Sequence, residues 1–170
     1  MNYLNLITNR LELIPLSIIE FDYLLNNLTL FEKNLSIKYE GEDFQNALHH
    51  IFSKQLDLMI THPHDSIFFA LWVIKKQVNQ VIIGSLCFKD VPNKNGEIEI
   101  GYGINPRHQN MGFMTEAVNA LCQFGYTLPG VHQIIAKTSR KNIASQKVLL
   151  KNHFILSDSS GDEYCYTHQK

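Results

Sequence analysis

The chain has 170 residues, 45% of them hydrophobic, with 15 basic and 16 acidic residues and a net charge of −1. That is enough apolar material for the core of one domain spanning 1–170, and the charge balance gives no electrostatic case for binding nucleic acid or an anionic membrane. Cys87, Cys122 and Cys165 are far apart and in no metal-ligand spacing, and no apolar run has the form of a secretory leader or a membrane span, so a soluble, cytoplasmic protein with reduced thiols is expected.

The apolar alternation of Arg10–Leu16 (RLELIPL) predicts a first strand, stopped near Pro15. Ser17 is placed to cap a helix running to about Asn26. Residues 28–43 are mixed and predict no regular element. Phe44, Leu48, Ile51, Phe52 and Leu58 recur at helical spacing and predict a second helix over 44–60. THPHD at 61–65 reads as a turn. Ser66–Ile74 and Val81–Phe88, separated by the polar KKQVNQ, predict a hairpin. Strands over 96–104 and 132–138, helices over 112–127 and 142–151, and closing strands over 154–156 and 163–167 complete the chain. The order implies a mixed sheet flanked by helices, not a doubly wound parallel sheet. Trp72 reads as core. His49, His50, His62 and His64 lack the carboxylate or thiolate company of a metal site and read as surface or turn residues.

The most informative stretch is Glu97–Ala117, EIEIGYGINPRHQNMGFMTEA. It reads as a strand, a tight turn with Pro106 and Gly112, and the first turns of a helix. That order leaves backbone N–H groups unpaired at a helix N-terminus, where an anion such as a phosphate can sit, although an ordinary capped turn has the same appearance. Gly112 permits close approach of a ligand to the backbone. Gly101 and Gly103 lie inside the strand and suggest a bulge or a close backbone approach. Alternation puts Glu97, Glu99 and Gly101 on one face and Ile98, Ile100 and Tyr102 on the other, so Tyr102 reads as core. Asn142 can cap the last helix, with Ser145 three residues on.

These segments resemble the GNAT superfamily of N-acetyltransferases. Its pyrophosphate turn follows Arg/Gln-x-x-Gly-x-Gly/Ala. Arg107, Met111 and Gly112 fit, while Asn110 stands at the first glycine, where Asn is among the few residues that tolerate a left-handed backbone. EIGYGINP followed by GFMTEA, and the opening TNRLELIPL, are similar to the RimJ/RimL branch, which acetylates ribosomal-protein N-termini. The resemblance implies a GNAT-like α/β (α+β) single domain, with a mixed, mostly antiparallel twisted sheet of about seven strands, splayed in the middle and flanked by about four helices.

It further implies acetyl-CoA as cosubstrate, held by Tyr102, Gly103, Ile104, Arg107, His108, Gln109, Asn110, Met111, Gly112, Phe113, Met114 and Asn142, with no metal. Glu99 matches the family's carboxylate that takes the amine proton through water. Ser145 is the candidate to protonate the leaving thiolate, because Leu149 stands where many relatives carry a tyrosine acid. His153 replaces a family glycine before Phe154, and Asn152 is expected to supply the left-handed helix end instead. The acceptor side is expected from the first two helices, the 28–43 segment and the last hairpin. Glu40, Glu42 and Asp43 there form an acidic cluster that could recognise a cationic acceptor, although a solvated loop is the favoured reading.

The expected reaction is acetyl transfer to a primary amine, with a peptide or protein N-terminal α-amine favoured. The alternatives are a small-molecule amine (polyamine, aminoglycoside or amino acid) or a catalytically weak CoA-binding module. The expected partners are acetyl-CoA and the amine acceptor, with a homodimer as an option and neither nucleic acid nor membrane.

Overall fold

The computed structural model describes residues 4–43, 47–159 and 161–170. Among them the chain forms β1 (Leu6–Ile7), β2 (Leu11–Pro15), α1 (Ile18–Asn26), α2 (Leu28–Leu35), β3 (Lys38–Tyr39), α3 (Ala47–Thr61), α4 (Ser66–Phe69), β4 (Leu71–Lys76), β5 (Val81–Phe88), β6 (Glu97–Ile104), α5 (Phe113–Gly125), β7 (Gln133–Ser139), α6 (Ile143–Lys151), β8 (Ile155–Asp158) and β9 (Glu163–Gln169). The strands join in one 9-stranded sheet of order β1-β2-β4-β5-β6-β7-β9-β8, with β3 pairing alongside β5. Pairing is antiparallel except for β3–β5 and β6–β7. The sheet is therefore the mixed, mostly antiparallel one expected. Its strand count exceeds the expected number through the two-residue strands β1 and β3.

The core forms where sequence periodicity meets burial. All eight residues of β5 are buried, as befits a central strand covered on both faces. Leu11 and Leu13 of β2, Trp72 and Ile74 of β4, and Val118 and Leu121 of α5 are fully buried. Trp72 packs on Phe124 of α5 with ring centroids 5.0 Å apart, a core residue as its sequence context suggests. Cys87, Cys122 and Cys165 are free thiols, the first two buried.

Two segments depart from expectation. Residues 28–35, expected to be irregular, form α2: Asn27 caps it by accepting from the Leu30 N–H at 3.1 Å, and Phe31 anchors it in the core. Ser66–Phe69, expected to begin a strand, is a single helical turn (α4), and the strand starts only at Leu71. After Ser66 the run IFFALWVI is apolar throughout, so it carries no period to separate helix from strand. Phe44, at the head of the expected second helix, lies outside the described residues.

The functionally important irregularity is between β6 and β7. They pair over Glu97↔Gln133, Ile98↔Ile134 and Glu99↔Ile135 only. Beyond Glu99, β6 stays paired to β5 as far as Ile104, while β7 stays paired to β9 as far as Ser139. The two strands part, leaving a wedge in the sheet between residues 100–104 and 136–139.

Candidate active site

The turn after β6 opens at one end of the wedge. Asn105 accepts from the Arg107 N–H at 2.9 Å and starts a 3₁₀ turn over Pro106–His108. Asn110 follows with φ 60° and Gly112 with φ 79°, so asparagine does adopt the left-handed backbone that the sequence asks of it. The helix α5 begins at Phe113 with no side-chain cap. The N–H groups of His108 and Gln109 are taken by Asn105 and Pro106 carbonyls. Those of Asn110, Met111, Gly112, Phe113, Met114 and Thr115 have no acceptor among the described residues. The unpaired row thus starts at Asn110, beyond His108 and Gln109. It combines six free donors with the positive end of a helix dipole, which suits a diphosphate.

A three-way clamp fixes this turn. Glu116, in the first turn of α5, accepts from Thr8 Oγ1 at 2.6 Å, from the Arg10 backbone N–H at 2.8 Å and from Arg10 Nε at 2.7 Å. Arg10 Nη1 donates to the Met111 carbonyl at 2.9 Å, and its guanidinium lies 4.5 Å from the Phe113 ring centroid. Burial pushes the Glu116 carboxyl up, but the bonds from Thr8 and Arg10 outweigh it and hold the group below its ordinary range.

Two cavities meet at the wedge. One, of about 330 Å³, runs along the turn and α6. It is lined by all of the sequence-predicted cofactor residues except Arg107 and Met111. Arg107 is exposed, and Met111 contributes only its carbonyl to the Arg10 clamp. Thr115, Ala144, Lys147, Val148 and Lys151 also line it and were not singled out from the sequence. The four-residue spacing of the two lysines on α6 was the available signal.

The other cavity, of about 530 Å³, lies under α3 and over β5 and β6. Tyr102, Gly103, Asn142 and Ser145 line both cavities and mark the junction. There the Tyr102 hydroxyl is 2.8 Å from Ser145 Oγ. Tyr102 is therefore part of the junction and not simply core. Burial pushes its phenol up to about 12, with the Ser145 bond opposing that shift, so it stays protonated at neutral pH. Asn142 caps α6 by accepting from the Ser145 N–H at 3.1 Å. Leu149 is fully buried. Cys87 lines the larger cavity, but burial pushes its thiol up to about 11, so the nucleophilic thiolate is suppressed.

The acidic residues separate sharply. Glu99 bridges Lys89 Nζ at 2.5 Å and Lys137 Nζ at 3.2 Å, and is not on the wall of either cavity. The segment read as a solvated acidic loop is split. Glu40 pairs with Lys38 at 2.7 Å and faces His108 at 3.3 Å, and Asp43 is exposed. Glu42 turns inward to line the larger cavity, where Ser85 Oγ donates to Oε2 at 2.6 Å. Its carboxylate fills the space a side chain would need at Gly103, so that glycine is required on the Glu42 side of the strand. Burial pushes the Glu42 carboxyl above its ordinary range, only partly offset by Ser85. Sequence offered Glu42 only as one of three clustered acids and could not single it out, because β3 places it, by pairing Tyr39 with Ile82.

At the end of α6 the left-handed residue is His153, with φ 62°, and Asn152 has φ −96°. This reverses the expected division of labour: Asn152 is buried and donates its amide to the Val148 carbonyl at 2.9 Å, which ties it to the helix. The described residues hold no cluster of three or more metal-ligating side chains and no helix long and apolar enough to cross a membrane.

Known proteins place this geometry. The chain is 36% identical over 94 residues to the uncharacterized N-acetyltransferase YjdG of Bacillus subtilis, a match covering 55% of this chain and 56% of that protein. It is 32% identical over 83 residues to YoaA of the same organism, covering 49% and 47%. The chain thus spans about half the length of the curated relatives it matches. In fold it is similar to the ribosomal-protein-S5-alanine acetyltransferase of Vibrio fischeri (TM-score 0.71, 14% identity, covering 98% of this chain and 97% of that one). It is also similar to RimL, a ribosomal L7/L12 α-N-protein acetyltransferase solved with coenzyme A (TM-score 0.70, 20% identity, 98% of each chain). The profile of the acetyltransferase (GNAT) domain matches residues 10–155, and with most of its length matched the chain belongs to the GNAT acetyltransferase family.

Proposed function

We propose that the protein transfers the acetyl group of acetyl-CoA to the α-amine of a peptide or protein N-terminus. The observation that carries this reading is the meeting of two cavities at the Tyr102–Ser145 hydroxyl pair, one cavity reaching the free backbone donors of Asn110 and of Gly112 to Thr115 and the other lined by the Glu42 carboxylate. The donors at 110–115 would hold the diphosphate, and Lys147 and Lys151 add positive charge along the same groove. The edges of β6 and β7 freed beyond Glu99 would pair with the amides of the pantetheine arm.

In the reaction a C–N bond forms between the neutral amine and the thioester carbonyl, the C–S bond breaks, and the amine loses one proton while the thiolate gains one. Ser145 would deliver the thiolate proton, with Tyr102 replenishing it through their 2.8 Å bond. Two carboxylates are candidates for the amine side: Glu99, reached through water, and Glu42, which faces the cavity directly. Neutralising an α-amine of pKa about 7.8 at pH 7 costs about 1.1 kcal/mol, against about 4.6 for a lysine amine. A site with only a weak base therefore favours the α-amine.

Thiol release with acetyl-CoA and an amine panel tests this. Ser145→Ala should lower kcat about 10-fold or more and leave acetyl-CoA binding intact. Unchanged kcat removes Ser145 from the mechanism, and absence of release from every amine removes the transferase reading. Glu42→Gln and Glu99→Gln separate the two bases. The base is the residue whose loss lowers kcat and abolishes the acid limb of the pH profile. For Glu42 that limb should lie above the ordinary carboxylate range.

A further inference from the structure

The larger cavity carries an uneven charge. Its floor at the junction is Glu42, against Gly103. Its other charged wall residues are Lys54, Lys89 and Lys137. Lys89 and Lys137 share the single carboxylate of Glu99. Lys54, exposed on α3, has no ion-pair partner among the described residues. Glu99 bonds two of these ammonium groups, and Glu163, beside Lys137 on β9, adds a second, unbonded carboxylate; three ammonium groups against two carboxylates leave the rim positive, and residues 44–46 (Phe, Gln, Asn) carry no ionisable side chain.

The spacing is also fixed by the strand. The Lys89 stem packs beside Gly101, with its Cε 3.2 Å from where a Cβ would stand, and the Glu42 carboxylate packs beside Gly103. Two residues of strand separate these points by about 7 Å. A cation facing Glu42 and an anion facing the lysines would thus be about that far apart. In an extended chain the next residue begins about 3.5 Å along, so a carboxylate on the second side chain spans the gap from the α-amine. The carboxylate of a free amino acid lies too near its own amine to do so. A polyamine would set its further cations against the lysine rim.

We propose that the acceptor is a peptide N-terminus whose second residue is acidic, its α-amine drawn to the junction beside Glu42 and its side-chain carboxylate received by Lys54, Lys89 and Lys137. This rests on the acetyl-transfer reading above and narrows it to a substrate class.

Steady-state thiol release with hexapeptides differing only at the second residue (Asp, Ala or Lys), beside spermidine and free glutamate, tests it. The Asp peptide should show kcat/KM at least 10-fold above the Ala peptide and about 100-fold above the Lys peptide, mainly through KM and diminishing with added salt. Lys54→Glu, on an exposed helix position, should remove most of the Asp preference without changing the thermal unfolding midpoint. Equal kcat/KM for the three peptides, a preference for Lys, or faster turnover of spermidine or free glutamate overturns the assignment while leaving acetyl transfer standing. Release from no amine overturns both.

Discussion

The N-termini of α1 and α5 solve the same problem in opposite ways. At α1, Ser17 and Glu20 form a capping box: the Glu20 carboxylate takes the Ser17 N–H at 2.8 Å, and Ser17 Oγ takes the Glu20 N–H at 3.3 Å. At α5 the cap is Gly112, which has no side chain to offer, and six consecutive donors stay free. Helix ends left bare cost stability. The same chain writes a full capping box at α1 and leaves the start of α5 bare, a contrast that suits the diphosphate site proposed there. The Arg10–Glu116–Met111 clamp holds the bare turn in shape from behind, doing the mechanical part of a cap while leaving the donors open.

Substitutions can break this contrast. The largest effect is expected from Gly112→Asp, which sets a carboxylate where the diphosphate would sit, in a left-handed conformation that aspartate tolerates at some cost. Acetyl-CoA affinity measured by calorimetry should fall about 100-fold or more, from repulsion of about 3 kcal/mol, while the protein stays folded. Glu116→Gln should loosen the clamp and weaken acetyl-CoA binding several-fold, with a stability loss of about 1 kcal/mol at pH 7. Because the native carboxyl is held below its ordinary range, the bonds contribute fully above that range. The stability gap between wild type and variant should therefore close as pH falls through the lowered native value. Ser17→Ala should cost about 1 kcal/mol in denaturant unfolding and leave acetyl-CoA affinity unchanged, since Ser17 lines neither cavity. The smallest effect is at the end of α6: His153→Gly should stabilise by about 0.5 kcal/mol, the left-handed penalty of about 1–2 kcal/mol less the extra freedom of the unfolded chain.

What could be read from sequence follows from the range of the interactions. The strand–turn–helix from Glu97 to Ala117 was legible because short-range rules write it: Pro106 starts the turn, Asn110 tolerates the left-handed backbone and Gly112 leaves the helix open. The wedge was foreshadowed by Gly101 and Gly103, although what occupies the space at Gly103 is Glu42, a residue 61 positions away in sequence. Glu42 could not be told from Glu40 and Asp43 in sequence, because a two-residue strand and a bond from Tyr39 to its carbonyl are what turn it inward. Tyr102 looked like core by alternation. Its partner Ser145 lies 43 residues on, across the wedge, where no local pattern reports it. The α4 segment was missed because an apolar run without a period fits either element, and α2 because its eight mixed residues, LTLFEKNL, are too few to declare a helical period.

The three-pair seam between β6 and β7 has a mechanical meaning. It is the only backbone ladder joining β1–β6 to β7–β9 among the described residues. Glu99 sits at its last rung, gripping Lys89 beyond β5 on one side and Lys137 of β7 on the other. The wedge therefore has a stitched apex, in which this ionic stitch adds to the three rungs of backbone pairing. Concentrated salt, by slackening the stitch, should hasten amide exchange at Ile98 and Ile135 before the rest of the sheet responds.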